Sequence, residues 1–600
     1  MCGIVGAISN NRNILPILIT GLENLEYRGY DSAGIAFSKD NNINIIKVTG
    51  KVNNLKQKIS QDIKSNIGIA HTRWATHGKA NSINAHPHKF KHVTIVHNGI
   101  IENFIEIKEK LIKYNYQFKT DTDSEVAAAL LNYYYEKFNN IEEAIKEFIK
   151  NGIGSYAICL MLDDDLENIY AIKKESPLVI GITDNTNIIA SDIRAILKYT
   201  NKYYILDDLE YAKVNAKEVI IKSKEGKIIN KNLKVFNEKN NDNSKGHYKH
   251  YMLKEIMEQK ETIFNTILPF IEEGIDSLEK LPDLTKYQEI AIVGCGTAYH
   301  AGLVAKYLFK EIANTRCNVY IASEYRYQNN FLNKDTLTIF ISQSGETADT
   351  IAALKLVKNK GCPTLGIINV KNSTISFLVD KCLYTNAGSE IAVASTKAYT
   401  AQVALLSLLV LAQAYRNKSL SKKEVLQIIE EFKNIKTLVN DVLNKKDLYQ
   451  KLAKDIYKEE DIFYIGRGLD YALAMEGALK LKEISYIHSE SYAAGELKHG
   501  TISLIKKGTP VISSATNSNL NAKTISNLKE VLARGANVYL ITDEHYKEDI
   551  IQIINIPKVN IFIKPLLIVI PYQLIAYYVA VLRKTDIDKP KNLAKSVTVE

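Results

Sequence analysis

The sequence is poor in cysteine, proline, methionine and tryptophan. Its 600 residues include six cysteines, eleven prolines, five methionines and a single tryptophan. No two cysteines form a Cys-x-x-Cys pair, so the sequence predicts neither a disulfide framework nor a zinc site, and a reducing cytoplasm fits. No basic segment followed by an apolar core and a small-residue cleavage site opens the chain, so we expect no secretory signal.

A concentrated basic surface is also lacking. The formal net charge is +10, and lysine is abundant along the whole chain. Nucleic-acid binding would require a basic face with interleaved aromatic residues, and no such stretch is found, so we expect no nucleic-acid partner. A mild positive field would still attract small anionic ligands.

Long uninterrupted apolar runs are rare. The two candidates, residues 398–415 and 565–582, are interrupted by polar residues such as Gln402 and Gln573, and the second also contains Pro571. A membrane span requires about 20 apolar residues, so we predict buried core elements and no membrane partner. The β-branched first part of the second run predicts a buried strand that leads into a helix.

The pattern along the chain predicts several domains. Residues 1–240 read as short strands with helices at 124–138 and 141–150, and the polar run 237–246 resembles a linker. Helical sequence follows over about 250–281. A pattern of strand, glycine turn and helix then occurs twice, around Gly294-Cys295-Gly296 and Gly466-Arg467-Gly468. This repetition predicts a duplicated α/β domain with a mostly parallel sheet, which binds ligands at the carboxyl ends of its strands.

Cys2 is a candidate nucleophile. Removal of Met1 would expose it as the first residue, and its α-amino group, with a pKa of about 7.7–8.0, can take the thiol proton. A terminal cysteine thus carries its own general base. By itself, Cys2 could equally be a cysteine at the start of a strand.

Further motifs accompany Cys2-Gly3-Ile4-Val5-Gly6. They are Glu26-Tyr27-Arg28-Gly29-Tyr30-Asp31-Ser32-Ala33-Gly34, His71-Thr72-Arg73-Trp74-Ala75-Thr76-His77-Gly78, Asn84-Ala85-His86-Pro87-His88, His97-Asn98-Gly99-Ile100 and Asp121-Thr122-Asp123-Ser124. Together they closely resemble the class II glutamine amidotransferases, over the first 200 or so residues. The resemblance implies an N-terminal nucleophile (Ntn) αββα glutaminase domain.

The resemblance assigns roles to these motifs. Asn98 and the N–H of Gly99 correspond to the oxyanion hole, and Arg73 offers a planar fork to the α-carboxylate of glutamine. Asp123 would hold the α-ammonium group. The full predicted glutamine site comprises Arg73, Trp74, Thr76, His77, His86 and Asp123. The cluster of histidines does not lie on one helical face, and the resemblance implies no metal and no other cofactor.

A phosphate site is predicted in the second half. Ser342-Gln343-Ser344-Gly345-Glu346-Thr347 lies between a strand and a helix, where backbone N–H groups, hydroxyls and the helix N-terminus favour phosphate, although an ordinary helix cap would look similar. The turn Cys295-Gly296-Thr297 could close the same pocket. These segments resemble the sugar isomerase (SIS) domain, present twice. The predicted sugar-phosphate residues are Cys295, Gly296, Thr297, Ser342, Gln343, Ser344, Thr347 and Ala594.

Three more segments extend the resemblance to essentially the full length. They are Gly477–Tyr486, Ala494–Gly500 and Asn592–Glu600. With the N-terminal half they resemble the family of glutamine-dependent, isomerising fructose 6-phosphate aminotransferases, which form glucosamine 6-phosphate and glutamate. The family implies a Schiff base on Lys595, proton transfer between sugar carbons 1 and 2 by Glu483 with help from Lys480, and ring opening by His499.

The family also implies a cytoplasmic homodimer, because its ring-opening histidine comes from the neighbouring subunit, and an ammonia channel gated by Trp74. Two departures are visible: Ala298 stands where relatives carry serine, and Thr501-Ile502-Ser503 replaces a proline-containing stretch. The expected division is a glutaminase domain at 1–240, a linker and connecting helix at 241–283, SIS domains at 284–425 and 455–590, and a catalytic tail at 591–600.

Two alternatives remain open from the sequence. One is another class II amidotransferase, such as one acting on phosphoribosyl pyrophosphate, although no phosphoribosyl-binding signature is found. The other is a phosphosugar-sensing binding protein, which would need neither a Schiff-base lysine at 595 nor a proton-transferring glutamate at 483.

Overall fold

The structure is a computed structural model that describes residues 2–60, 62–74, 78–236, 244–328, 332–546 and 550–598. The chain divides into two compact units. Unit 1 is Met1–Asn240 with Ser596–Glu600, and unit 2 is Asn241–Lys595. Most of the predicted linker, residues 237–243, lies outside the described residues.

Unit 1 contains fourteen described strands and five described α-helices. The strands are β1 (Gly3–Ser9), β2 (Ser32–Lys39), β3 (Asn42–Thr49), β4 (Ile67–Arg73), β5 (His88–Phe90), β6 (Val93–Ile101), β7 (Gly154–Leu162), β8 (Asp165–Lys174), β9 (Val179–Ile182), β10 (Thr186–Ala190), β11 (Lys202–Ile205), β12 (Glu210–Val214), β13 (Val219–Lys222) and β14 (Lys234–Val235). The helices are α1 (Leu15–Leu25), α2 (Val52–Lys58), α3 (Phe104–Ile112), α4 (Asp123–Phe138) and α5 (Ile141–Asn151).

The strands of unit 1 form two antiparallel sheets that face each other. One has the order β14-β11-β9-β10-β1-β4-β2-β3 and the other β13-β12-β8-β7-β6-β5. Alternate residues of β1 point to opposite faces of its sheet. Val5 packs towards α1 on one face, and Ile4 packs with Val96 of the second sheet on the other. This period-2 alternation, with both faces apolar, buries β1 between a helix layer and a sheet. The layers are therefore α, β, β and α, as predicted.

The helices of unit 1 follow local sequence signals. Asn140 caps α5 by accepting the N–H groups of Glu142 and Glu143, and Thr122 caps α4 by accepting from Glu125. Both predicted helices are confirmed within one residue of their expected ends. The sequence analysis missed α1, α2 and α3, which are shorter than α4 and lie in segments read as strands.

Unit 2 contains ten described strands and thirteen described α-helices. The strands are β15 (Glu289–Gly294), β16 (Arg316–Ile321), β17 (Thr336–Ser342), β18 (Thr364–Ile368), β19 (Lys381–Tyr384), β20 (Asp461–Gly466), β21 (His488–Ala493), β22 (Pro510–Ala515), β23 (Asn537–Thr542) and β24 (Gln552–Asn555). The helices are α6 (Tyr251–Met257), α7 (Gln259–Ile267), α8 (Thr297–Glu311), α9 (Ala322–Tyr325), α10 (Ala348–Asn359), α11 (Thr374–Leu378), α12 (Lys397–Arg416), α13 (Lys422–Lys433), α14 (Ile435–Leu443), α15 (Lys446–Ile456), α16 (Leu469–Ser485), α17 (Asn521–Leu532) and α18 (Lys564–Arg583).

The strands of unit 2 form two parallel sheets with the same topology. Their orders are β16-β15-β17-β18-β19 and β21-β20-β22-β23-β24, and all pairings within them are parallel. The predicted duplication is therefore confirmed. In this order the direction of winding reverses beside the first strand, so the turns after β15 and β17 face a common crevice.

The two long apolar segments are helices in the core of unit 2. The most apolar 18-residue windows of α12 and α18 are 94% and 83% buried, although both helices are long and apolar enough to cross a membrane. The prediction of a strand in the first part of 565–582 is wrong. Pro565 stands in the first turn of α18, where its missing N–H costs nothing, and the helix continues through Pro571.

Candidate active sites

Cys2 immediately precedes β1, at the edge where β1 pairs with β4. The backbone N–H of Trp74 donates to Cys2 Sγ at 3.3 Å, and the Asn98 amide Nδ2 donates to the Cys2 carbonyl at 3.1 Å. Burial raises the pKa of the Cys2 thiol, against the opposing positive charges of Arg73 and Arg28. The thiol is thus held protonated and needs a base to become a nucleophile.

Asn98 and Gly99 lie on β6, which runs beside Cys2. His71 Nε2 lies 3.0 Å from Asn98 Oδ1 and 3.0 Å from the His97 carbonyl, so it donates to two acceptors. Burial lowers the pKa of His71 to about 3, which keeps its ring neutral. Gly99 has φ +118°, and a Cβ there would lie 1.9 Å from the Ser155 carbonyl. Only glycine fits this position.

Arg73 and Asp123 provide opposite charges close to the same site. Arg73 ends β4, and its guanidinium donates to the carbonyls of Gly78 and Lys79, each at 3.3 Å. Asp123 begins α4 and accepts the Ile101 N–H at 2.9 Å. Burial lowers the pKa of Arg73, and the negative charge of Asp123 opposes that shift. Both side chains are buried.

Three histidines of unit 1, His71, His86 and His88, form a buried neutral cluster. His86 stacks on His71 with ring centroids 4.0 Å apart and meets His88 edge-on at 4.6 Å. Burial lowers the pKa of His86 and of His88 well below the usual value. The ring of His86 also accepts the His97 N–H at 3.3 Å. In this structure His86 therefore supports the strand that carries Asn98.

The remaining predicted glutamine residues are only partly described. Trp74 is half-buried and meets the ring of Tyr30 edge-on, with centroids 6.2 Å apart. Thr76 and His77 lie outside the described residues.

Lys480 and Glu483, three residues apart on α16, form a close ion pair in unit 2. Lys480 Nζ lies 2.5 Å from Glu483 and 3.2 Å from Thr297 Oγ1. Burial would lower the pKa of Lys480, but Glu483 and Glu476 outweigh it and the pKa is raised. Thr297 starts α8 in the first SIS repeat and α16 belongs to the second, so both repeats supply this cluster.

Sequence reasoning missed Glu476 and His300, which complete the cluster. The fully buried Glu476 accepts from His300 Nδ1 at 2.7 Å and from Thr297 Oγ1 at 3.1 Å. It also lies 3.5 Å from Lys480 Nζ. Glu476 stands four residues before Lys480 on α16, so helical spacing offered a signal for it. The sequence offered no comparable signal for His300.

Lys595 forms an ion pair with Glu390, which the sequence analysis also missed. The Lys595 ammonium donates to Glu390, and it donates to Ser395 Oγ at 3.1 Å. Burial would raise the pKa of Glu390, but the Lys595 charge and two backbone N–H donors hold it below its usual range. The charge of Glu390 also raises the pKa of Lys480, so the two lysines belong to one charged site.

The loop 342–347 between β17 and α10 presents hydroxyls and N–H groups. Ser342 Oγ accepts the Gly345 N–H at 3.0 Å and lies 3.0 Å from Thr347 Oγ1. Ser344 Oγ accepts the N–H of Glu346 at 3.1 Å. Gln343 lies in the same loop, half-buried. The predicted turn is therefore formed, with hydroxyls at its start and end.

Glu346 anchors this loop to the N-terminus of α11. Its carboxylate accepts both the N–H of Thr374 at 2.7 Å and the hydroxyl of the same residue at 2.8 Å. Gly345 has φ +66°, and a Cβ there would lie 1.9 Å from Ser373 Oγ. The loop conformation thus depends on glycine at 345 and on the anchor to α11.

The corresponding loop of the second α/β repeat, which follows β22, is occupied by a side chain of the same chain. There Asp470 occupies the position equivalent to Ala298, and its carboxylate accepts from Thr516 N at 3.0 Å and Thr516 Oγ1 at 2.8 Å. Asp470 is fully buried, which raises its pKa. The small side chain of Ala298 leaves the first repeat without such a carboxylate.

The other predicted sugar-site residues differ in exposure. Cys295 Sγ lies 4.0 Å from Thr350 Oγ1, and Gly296 has φ +52°. Ala594 is half-buried next to Lys595, and His499 is exposed. Within the described part of the chain, no group of three His, Cys, Asp or Glu side chains could hold a metal ion.

Two family models match the chain. The glutamine amidotransferase domain matches residues 71–198, and the SIS domain matches residues 283–412 and 455–583. The predicted Ntn glutaminase domain followed by two SIS domains is therefore confirmed. The C-terminal domain of glucosamine-fructose-6-phosphate aminotransferase from Francisella tularensis covers 58% of this chain at 42% identity, with a TM-score of 0.55.

Two relatives that match over their full length are described as the same enzyme. The chain is 48% identical over 611 residues to the glutamine–fructose-6-phosphate aminotransferase (isomerizing) of Caldanaerobacter subterraneus subsp. tengcongensis, and 100% of both chains is covered. It is 46% identical over 613 residues to the enzyme of the same name from Clostridium acetobutylicum, again over 100% of both chains. The chain is therefore an enzyme and belongs to the glutamine–fructose-6-phosphate aminotransferase (isomerizing) family.

Proposed function

We propose that this enzyme converts fructose 6-phosphate and glutamine into glucosamine 6-phosphate and glutamate, the first committed step of amino-sugar synthesis. The observation that carries the proposal is the buried cluster in unit 2, in which a carboxylate-held lysine in the tail shares one charged site with the Lys480–Glu483 pair. A lysine that can form a Schiff base and a carboxylate beside it are what isomerisation with amine transfer requires.

Unit 1 supplies the ammonia. After loss of Met1, the amine of Cys2 takes the thiol proton, and the thiolate attacks the glutamine side-chain amide. Asn98 Nδ2 and the Gly99 N–H then stabilise the oxyanion, each such donor contributing about 2.7–4 kcal/mol. Arg73 binds the α-carboxylate of glutamine and Asp123 its α-ammonium group. Trp74, Thr76, His77 and His86 complete the proposed glutamine site, with Trp74 as the gate for ammonia.

The first SIS repeat binds the phosphate. The hydroxyls and N–H groups of 342–347 lie at the N-terminus of α10, which favours an anion. The second repeat supports this assignment, because its equivalent loop holds the Asp470 carboxylate on the same kinds of donors. Cys295, Gly296 and Thr297 would close the first-repeat site, and Ala298 leaves room for the ligand.

The sugar chemistry uses residues from the helix α16 and the tail. Lys595 forms a Schiff base with the open-chain ketose, Glu483 moves a proton between carbons 1 and 2, and Lys480 assists that transfer. Ala594 would contact the sugar beside Lys595. His499 is exposed within its own chain, which supports ring opening in a neighbouring subunit and hence a homodimer.

The proposed domain division is 1–240, 241–283, 284–425, 455–590 and 591–600. The division after Asn240 agrees with the two compact units. A cytoplasmic location is supported by six free cysteines. The alternatives, a phosphoribosyl amidotransferase and a phosphosugar sensor, gain no support from the matched families.

Two variants test the proposal when glutamate release, sugar isomerisation and glucosamine 6-phosphate formation are each measured. Cys2→Ala should abolish release of glutamate from glutamine and leave sugar isomerisation intact, because the two chemistries use different nucleophiles. Lys595→Arg should abolish glucosamine 6-phosphate and leave a glutaminase activity, and Cys382→Ala serves as the control. Normal glutamine use by Cys2→Ala would reject the N-terminal nucleophile, and normal product formation by Lys595→Arg would reject the Schiff base.

A further inference from the structure

Lys595 lies in an irregular segment beyond α18, yet its amine is tightly held. Its side chain is 3% exposed and that of its partner Glu390 is fully buried. The Glu390 carboxylate also accepts the N–H groups of Thr396 at 2.9 Å and Ala398 at 3.0 Å, at the start of α12. The helix thus fixes the carboxylate, and the carboxylate fixes the amine.

This arrangement creates a chemical requirement. A lysine paired with a buried carboxylate is an ammonium ion, which has no lone pair, whereas attack on a ketone carbonyl needs the neutral amine. Because both side chains are buried, the proton must pass to a neighbouring group. Glu390 is the acid–base group in hydrogen-bond contact with the ammonium.

The surrounding charges favour transfer within the pair. Lys397 Nζ is held by Glu258 at 2.8 Å, and Lys480 is balanced by Glu483 and Glu476. These pairs leave Glu390 to balance Lys595.

Another carboxyl close to Glu390 is that of Glu255. Burial and the charge of Glu390 raise the pKa of Glu255 to about 8, so it is neutral at pH 7. Its carboxyl group accepts the N–H groups of Ile391 and Ala392, which follow Glu390. Moving a proton from Lys595 to Glu390 therefore converts an ion pair into a neutral pair, which a low-dielectric site tolerates.

We propose that Glu390 is the acid–base partner of Lys595 in forming and breaking the Schiff base. Its carboxylate takes one proton from the ammonium, and the neutral amine attacks the ketone carbonyl. As the C–N bond forms, a second proton moves from the nitrogen to the carbonyl oxygen, which gives a neutral carbinolamine. The Glu390 carboxyl then returns that proton to the departing hydroxyl, which leaves as water, and the iminium cation faces the restored carboxylate. The balance is one ammonium plus one ketone giving one iminium plus one water, with no net proton exchanged with solvent.

This inference rests on the proposed Schiff base at Lys595, and the wild-type enzyme provides the first test. Fructose 6-phosphate is trapped on the full-length protein with cyanoborohydride between pH 6 and 7.5, and the modified residue is identified by mass spectrometry. The trapping rate should be nearly independent of pH, since the proton stays inside the pair. A rate that rises tenfold per pH unit would show that the ammonium loses its proton to water, which would overturn the role of Glu390. Absence of any adduct would reject the Schiff base itself.

Variants supply the second test. Glu390→Gln should lower the trapping rate at pH 7 by about 10²-fold or more, the usual contribution of a positioned acid–base group. Glu390→Asp should restore part of the rate, and Glu261→Gln, which removes the carboxylate from Lys436 on the surface of unit 2, should leave it unchanged. The thermal unfolding transition of unit 2 in each variant reports whether that unit is folded. A folded Glu390→Gln enzyme that is trapped at the wild-type rate would contradict the proposal.

Discussion

The amide of Asn98 could present either its nitrogen or its oxygen to Cys2, and His71 decides between them. The ring nitrogen that faces Asn98 also faces a carbonyl, so it carries the proton and must meet the amide oxygen. The amide nitrogen is thereby turned towards Cys2. A buried neutral histidine thus orients the proposed oxyanion donor.

His71→Phe tests this orientation, because phenylalanine keeps the stack on His86 and removes the donor. We expect glutaminase turnover to fall by about 10²–10³-fold, as for loss of one oxyanion-hole donor, with sugar isomerisation unchanged. His92→Phe, at an exposed histidine, is the control. Equal glutaminase rates in the two variants would show that His71 does not hold Asn98 in place.

Glu255 makes stability depend on pH. Its pKa is raised from 4.5 to about 8 in the folded protein, so the folded state binds its proton more tightly than the unfolded state. The stabilisation is fully present below about pH 4.5 and is lost as pH rises through 8. Glu255→Gln should therefore flatten the fall in unfolding free energy between pH 5 and 8, measured by urea unfolding. Parallel curves for variant and wild type would contradict this.

The loop after β17 illustrates how one element is built for a ligand. Its glycine turn brings the Gly345 N–H onto the Ser342 hydroxyl, and Glu346 anchors the loop to α11. The equivalent loop after β22 has the same position in the fold but is closed by Asp470 from α16. Duplication therefore produced two similar elements, of which the second is closed by a carboxylate from its own unit.

Gly345→Ala tests the loop after β17. Alanine would have to adopt φ +66° and would clash with Ser373, so the loop must shift. We expect the KM for fructose 6-phosphate to rise by about tenfold, equivalent to the loss of about 1.4 kcal/mol of binding, with glutaminase activity unchanged. Gly361→Ala is a matched control, since its φ is +67° and nothing lies within 4 Å of the added Cβ. A similar KM in both variants would reject the loop as the phosphate site.

The two units of the molecule have separate cores. The apolar clusters of unit 1 lie between its two sheets and under its helices, and the largest of the clusters in unit 2 surrounds α12, α16 and α18. Each unit is large enough to bury a core of its own. Ligands of one unit should therefore stabilise that unit in particular.

Calorimetry of the full-length protein should show two transitions. Fructose 6-phosphate at 100 times its Kd should stabilise unit 2 by about 2.7 kcal/mol, whereas glutamate should shift the transition of unit 1. Phe148→Ala, at a fully buried residue of α5, assigns the transitions, since it should destabilise unit 1 by about 3–5 kcal/mol. A single transition that responds equally to both ligands would contradict independent units.

The sequence by itself determined many of the elements, and its resemblance to a family gave the candidate site residues. Period-2 and helical patterns, glycine turns and caps are local, so α4, α5 and the duplicated strands could be predicted directly. The roles of Cys2, Lys480 and Glu483 were predicted from the motifs that carry the resemblance. The first part of 565–582 was wrongly predicted as a strand, because a buried strand and a buried helix have the same apolar composition.

Only the tertiary structure decided which groups meet. Glu390, His71 and His300 stand in no informative spacing with the residues they contact, since their partners are far apart in the chain. The protonation states of His71 and Glu390 likewise follow from burial and from charges on other elements, as does that of Glu255. A pattern along one strand or helix carries no information about either, because both depend on how the elements pack.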